Sequence, residues 1–92
     1  MLSDIPKKLA SLSPEQVDQE ICRAGIIAEL DAVNLYDQMA AYAQDPKLKA
    51  MLADIAKEEK THIGEFQAML LQKDPEQVAE LANGKKEVEE RQ

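Results

Sequence analysis

The apolar residues of this chain recur at steps of four and three, which is the spacing of a seam between packed helices. Two such series run along the chain. The first is Cys22, Ile26, Glu29, Val33, Tyr36, Ala40 and Ala43, and the second is Leu48, Leu52, Ile55, Glu59, His62, Phe66 and Met69. The pattern predicts two long helices that pack against each other along one seam.

Each predicted helix begins at a proline that follows a capping residue. Ser13-Pro14 starts the first helix, and Gln16 completes a capping box with Ser13. Asp45-Pro46 and Asp74-Pro75 repeat the signal, and Asn83-Gly84 is typical of a helix end. We therefore expect a single domain with a lead-in over 1–13, helices over 14–43, 46–72 and 75–82, and a charged tail over 83–92 that is helical or frayed.

The first helix carries a second apolar stripe, so most of its circumference is apolar. A helix that is apolar on several sides needs several neighbours. Since the chain has only two long helices, we expect other copies of the chain to supply the rest. Gly25 interrupts this helix at a cost of about 1 kcal/mol relative to alanine, and we expect it to allow close approach of another backbone. The stripe consists of Val17, Ile21, Ala24, Ala28, Leu35 and Met39.

Composition fits an all-α fold and narrows the choice of partners. The 92 residues include 3 glycines, 4 prolines and no tryptophan. A net charge of −7 argues against nucleic acid and an anionic membrane surface as partners, and is compatible with cations. No stretch resembles a signal peptide or a membrane span, so we expect a cytoplasmic protein. The single cysteine, Cys22, is predicted to be a small core residue.

Three seam positions hold residues of types that commonly bind metals in proteins. Glu29 lies in the first seam, and Glu59 and His62 lie in the second. All three lie about 15 residues from the turn between the helices, so the antiparallel hairpin places them at the same height. Unpaired charge is costly to bury, so such residues pair, coordinate a metal or are not buried at all. Tyr36, one heptad after Glu29, is either core packing or a hydrogen-bond partner of the ligands.

The ligand set resembles half of a known type of site. Four-helix carboxylate proteins bind two iron ions with a Glu from each of two helices and Glu-x-x-His from each of the other two. Glu-x-x-His alone is common on solvated helices, but the seam position and the matched height of Glu29 favour a metal. A two-fold dimer would complete both the site and a four-helix bundle. Two carboxylates and one imidazole suit iron, manganese or zinc.

At these residues the chain resembles the encapsulated ferritins, the ferritin-like proteins associated with encapsulin nanocompartments. The likeness covers about Ile21 to Leu81. It depends on the segments 27–38 (IAELDAVNLYDQ), 58–66 (EEKTHIGEF) and 74–78 (DPEQV).

The resemblance implies a two-helix half-ferritin with a short third helix, assembled as an annular decamer of five dimers. It implies that Glu29, Glu59 and His62 are iron ligands, with two iron ions at each dimer interface and Tyr36 beside them. It also implies a secondary cation site formed by acidic residues, of which only Asp31 carries over, because Ala28 stands at another acidic position of the family pattern. Leu35 stands where some members of the family have a tryptophan near this site. The implied function is a ferroxidase that serves iron storage within an encapsulin shell, with the shell protein as partner.

Two other functions are compatible with the same residues. A rubrerythrin-like di-metal peroxidase would use a similar ligand set, although the chain has no Cys-x-x-Cys pair for a rubredoxin centre. A non-catalytic helical oligomerisation module would use the polar seam residues only to fix the register of the helices. Metal content distinguishes the module from the two enzymes.

Overall fold

The structure is a computed structural model that describes residues 12–91. It contains the helices α1 (Pro14–Tyr42), α2 (Pro46–Lys73) and α3 (Pro75–Glu90), and residues 12–91 include no β-strand. The predicted all-α fold class is confirmed. Most of the predicted lead-in, residues 1–11, lies outside the described residues. None of the described helices is long and apolar enough to cross a membrane.

The helix starts lie where the capping pattern predicts them. The Ser13 hydroxyl accepts a hydrogen bond from the backbone N–H of Gln16, and the Gln16 side chain accepts one from the backbone N–H of Ser13. Asp45 and Asp74 likewise cap α2 and α3 through their carboxylates. These bonds satisfy N–H groups that have no partner within a helix.

The predicted end of the third helix at residue 82 is wrong. α3 continues to Glu90, and neither Gly84 nor any other described residue has a positive φ. A glycine ends a helix by adopting the left-handed conformation, but Gly84 is followed by lysines and glutamates, which favour helix. Lys85 and Glu89 form an ion pair at 3.8 Å within this segment. Residues 83–90 of the tail are therefore helical.

α1 and α2 form an antiparallel hairpin around a small core. Its buried apolar residues are Cys22, Leu52, Ala56 and Leu70. Cys22 and Leu52 belong to the predicted seams, whereas Ala56 and Leu70 each follow a seam residue by four positions. Leu70 lines a groove together with Gln77 and Leu81 of α3. The burial of Cys22 agrees with its predicted role as a core residue. So small a core leaves much apolar surface available to further neighbours.

Polar contacts join the N-terminal part of α1 to the junction between α2 and α3. The Gln19 side-chain amide donates a hydrogen bond of 2.7 Å to the backbone carbonyl of Lys73. Arg23 pairs with Asp74 at 3.7 Å, and Lys73 with Asp18 at 4.0 Å. These contacts fix the end of the hairpin that lies opposite the turn.

One face of the hairpin remains apolar and uncovered. Ile21, Leu35 and Met39 of the second stripe are 45%, 52% and 38% exposed. Met51 and Met69 of α2 are similarly exposed, and Met69 shares a groove with Ile21. We refer to this surface, formed by Ile21, Leu35, Met39, Met51 and Met69, as the open face. A single chain therefore leaves the stripe uncovered, as expected from the sequence.

Candidate metal centre

The structure brings Glu29, Glu59 and His62 together. His62 Nδ1 lies 3.4 Å from Oε2 of Glu29 and 3.4 Å from Oε2 of Glu59. One ligand atom from each of the three residues lies within 4.8 Å of the others. α1 supplies one member and α2 supplies two, one helical turn apart, so the packing of the two seams creates the group. We call these three residues the metal group.

The two carboxylates are more buried than the imidazole. The Glu29 and Glu59 side chains are 20% and 18% exposed, whereas the His62 side chain is 45% exposed. Glu59, one turn away on the same helix, is the hydrogen-bond partner of His62 Nδ1. The group thus has an inner side made of carboxylates and an outer side made of the imidazole.

One oxygen of the metal group is buried without a hydrogen-bond partner. It is Oε2 of Glu29, which is shielded from solvent. Nδ1 of His62 can carry only one hydrogen, so it cannot donate to both carboxylates at once. An unsatisfied buried carboxylate oxygen is costly, and a bound cation would satisfy it. The donor set therefore fits a metal ion such as Fe(II) better than it fits a closed hydrogen-bond network.

A groove of about 350 Å³ gives access to the metal group. Its lining residues are Glu29, His62, Glu65, Phe66 and Met69. Met69 also belongs to the open face, so the groove and the open face are continuous. A second chain that covers the open face would therefore also cover the groove.

The two other predicted site residues lie outside the metal group. Tyr36 is half-buried on the seam side of α1, and its hydroxyl makes no hydrogen bond to a residue within 12–91. Asp31 is exposed, two residues after Glu29 and therefore on the opposite side of α1. The roles of Tyr36 beside the ligands and of Asp31 in a secondary cation site stay predictions.

Sequence reasoning missed the place of Glu65. The four-and-three spacing leaves Glu65 off the seam, on the solvated outer face of α2. Glu65 is exposed, but it also lines the groove beside His62. Its position three residues after His62 was the available signal, because residues three apart share a side of a helix.

Gly25 packs against a side chain of α2. A Cβ atom added at Gly25 would lie 2.7 Å from three atoms of the Phe66 ring. The nearest neighbour of Gly25 within the described residues is therefore an aromatic side chain of α2, and the approach of another backbone stays a prediction. Gly25 precedes Glu29 by four residues and Phe66 follows His62 by four, so this contact forms the layer next to the metal group.

Comparison with known proteins identifies the family. The EncFtn-like family model matches residues 4–83. The chain belongs to the EncFtn-like family. This match covers both seams and the whole metal group, and it confirms the resemblance seen in the sequence.

Two curated relatives agree with this family assignment. The chain is 59% identical over 71 residues to a ferritin-like-encapsulin shell fusion protein of Pyrococcus furiosus, covering 77% of this chain and 21% of that protein. It is 37% identical over 73 residues to the encapsulin nanocompartment cargo protein EncC of Myxococcus xanthus, covering 75% of this chain and 56% of that protein. The chain thus spans about a fifth and about half of these two relatives.

The crystal structure of the encapsulated ferritin domain from Pyrococcus furiosus has the same fold. It superimposes with a TM-score of 0.84 at 52% identity, covering 87% of this chain and 82% of that one. At this identity the likeness extends beyond the arrangement of helices to much of the sequence that builds them.

Proposed function

We propose that this EncFtn-like chain is a ferroxidase, which oxidises Fe(II) to Fe(III) with dioxygen. The observation that carries the proposal is the metal group, in which a buried oxygen of Glu29 faces His62 and lacks a hydrogen-bond partner. Each Fe(II) gives up one electron. Dioxygen takes up two electrons and two protons to form hydrogen peroxide, or four of each to form water.

The site is proposed to be shared between two chains. Within residues 12–91, one chain brings only three ligand residues together, and they lie beside a groove that opens toward the open face. A two-fold axis through this face would bring a second copy of Glu29, Glu59 and His62 against the first. The two hairpins would then form a four-helix bundle with the ligand pattern of di-iron carboxylate proteins.

The charges support a pair of divalent ions. Two copies of Glu29 and Glu59 carry four negative charges, which two ferrous ions balance. Without cations, carboxylates that meet across a dimer axis repel one another. The net charge of −7 also favours the approach of cations to the chain.

The relatives suggest where this chemistry takes place. One of them is named as a fusion with an encapsulin shell and the other as an encapsulin cargo protein. We therefore propose that the chain handles iron for storage within an encapsulin nanocompartment, with the shell protein as partner. The family resemblance adds an annular decamer of five dimers, in which the rest of the open face contacts neighbouring dimers.

Fe(II) oxidation in air tests the proposal. Appearance of Fe(III) absorbance and consumption of dioxygen should both be faster with the protein than without it. Glu59→Ala and His62→Ala should each reduce the rate to that of the buffer. Glu87→Ala, which removes an exposed carboxylate of α3, is the matched control and should keep the wild-type rate. Wild-type rates in either ligand variant would refute the assignment of the ligands.

The same assay separates the alternative functions. A rubrerythrin-like peroxidase would oxidise Fe(II) faster with added hydrogen peroxide than with dioxygen, and the excess rate would disappear in Glu59→Ala. A non-catalytic oligomerisation module would leave the rate at the buffer value with either oxidant. The buried oxygen of Glu29 favours the ferroxidase over the module, because a residue that only fixes register gains from a complete set of hydrogen bonds.

A further inference from the structure

We propose that the contact between Gly25 and the Phe66 ring sets the spacing of α1 and α2 at the metal group. Gly25 and Phe66 are then positioning residues for Glu29 and His62. This inference rests on the proposed function. It starts from the distance of 2.7 Å between ring atoms of Phe66 and a Cβ atom built on Gly25.

The ring occupies space that any residue other than glycine would fill. Carbon atoms in ordinary contact lie about 3.5–4.0 Å apart. A methyl group at Gly25 would therefore overlap three ring atoms by roughly 1 Å. The other glycine of the hairpin, Gly64, has no heavy atom within 4 Å of an added Cβ. The restriction at Gly25 therefore comes from its neighbour and not from the helical backbone.

The Gly25–Phe66 contact and the metal group are mechanically linked. Gly25 and Phe66 join α1 to α2, and so do Glu29 and His62. The two contacts lie one helical turn, about 5.4 Å, apart along the helices. The intervening helices are continuous, so a change of helix spacing at Gly25 is transmitted to Glu29 and His62. Metal–ligand distances hold within about 0.2 Å. A shift well below the overlap at Gly25 is therefore enough to disturb metal binding.

The Phe66 ring lines two grooves into which it can yield. One is the groove beside the metal group, which Glu29 and His62 also line. The other is lined by Ile21, Cys22 and Met69. A ring displaced into the first groove would lie on the side from which an ion reaches the metal group, and it would weaken metal binding as a separation of the helices does. A ring displaced wholly into the second groove would leave metal binding unchanged, and this is the outcome that would overturn the proposal.

Titration with Co(II), which binds oxygen and nitrogen ligands and is stable in air, measures this effect without turnover. Gly25→Ala should weaken Co(II) binding by about tenfold or more, the size of effect found when groups that orient ligands are changed. It should also shift the visible absorption bands of bound Co(II), because these report ligand geometry. Gly64→Ala, the matched control, should keep the affinity and the spectrum of the wild type.

A double variant supplies the rescue. Phe66→Leu removes ring atoms that meet the new methyl group, so Gly25→Ala combined with Phe66→Leu should recover much of the lost affinity. Recovery of the Co(II) affinity would show that residues 25 and 66 are energetically coupled, because two independent substitutions would not compensate each other. If Gly25→Ala alone does not fold, the double variant decides: a folded double variant that binds Co(II) supports the proposal, and a folded one that does not bind overturns it.

The outcomes distinguish this inference from the proposed function. Wild-type binding of Co(II) together with unchanged binding by Gly25→Ala would overturn the positioning role alone. Failure of the wild-type protein to bind Co(II) would overturn the proposed function and the inference that depends on it.

Discussion

His62 Nδ1 lies at the same distance, 3.4 Å, from Oε2 of Glu29 on the neighbouring helix and from Oε2 of Glu59 on its own helix. Glu59 is placed by helical geometry alone, since it lies one turn before His62. Glu29 is placed by the packing of α1 against α2. The metal group therefore forms only when α1 packs against α2. We expect a substitution of Glu29 to change the properties of the metal group more than it changes the formation of the helices.

The first prediction concerns the stability of the metal-free protein. Glu29→Leu should raise its free energy of unfolding by about 1–3 kcal/mol, because the variant removes a buried carboxylate oxygen that has no hydrogen-bond partner. The same variant should lose the stabilisation that added Fe(II) or Co(II) gives to the wild type. Urea denaturation with and without metal measures both effects.

Glu87→Leu is the control for this experiment, since Glu87 is exposed on α3 and far in sequence from the metal group. It should change the stability by less than about 0.5 kcal/mol and keep the response to metal. A Glu29→Leu protein that is less stable than the wild type without metal would contradict the view that this carboxylate is retained for ligation.

The second prediction concerns assembly. Added Fe(II) or a similar divalent ion should shift the protein from small species to a large, discrete oligomer, because the ions neutralise carboxylates that repel across the dimer axis. Glu29→Ala should alter this shift, since it removes both a charge and a ligand. Light scattering at matched protein concentrations, with and without metal, measures the size of the particles. A strictly monomeric protein under both conditions would refute the shared site.

The third prediction concerns the hydrogen bond between Gln19 and Lys73. Gln19→Ala should lower the free energy of unfolding by about 1 kcal/mol, because the Lys73 carbonyl at the end of α2 loses its side-chain donor. Gln38→Ala, an exposed position on the same helix, should have little effect on stability. Equal effects of the two substitutions on thermal or urea unfolding would show that the contact contributes nothing.

The fourth prediction concerns the course of α3 through Gly84. Gly84→Ala should raise helicity, measured by circular dichroism, and stabilise α3 by about 1 kcal/mol, because Gly84 lies within the helix and an added Cβ would have no neighbour within 4 Å. Had Gly84 ended the helix in the left-handed conformation, the same substitution would destabilise the protein. A loss of helicity in Gly84→Ala would therefore favour a helix that ends near residue 82.

Local signals in the sequence determined the class of fold, the starts of the three helices and the residues of the metal group. Capping by Ser13, Asp45 and Asp74 depends on atoms a few residues apart, so it can be read without knowing the packing. The seam positions of Glu29, Glu59 and His62 follow from the periodicity of α1 and α2 together with the length of the turn between them.

Tertiary structure alone decided the features that depend on how far apart the helices lie and how they are rotated. The sequence does not reveal that the Phe66 ring meets Gly25, that Leu70 is buried, or that His62 is more exposed than Glu29. The predicted end of α3 at residue 82 is wrong because a glycine followed by helix-forming residues is compatible with both a helix end and a continuous helix. Periodicity specifies which side of a helix faces its partner, whereas the distance between two helices depends on every side chain in their interface.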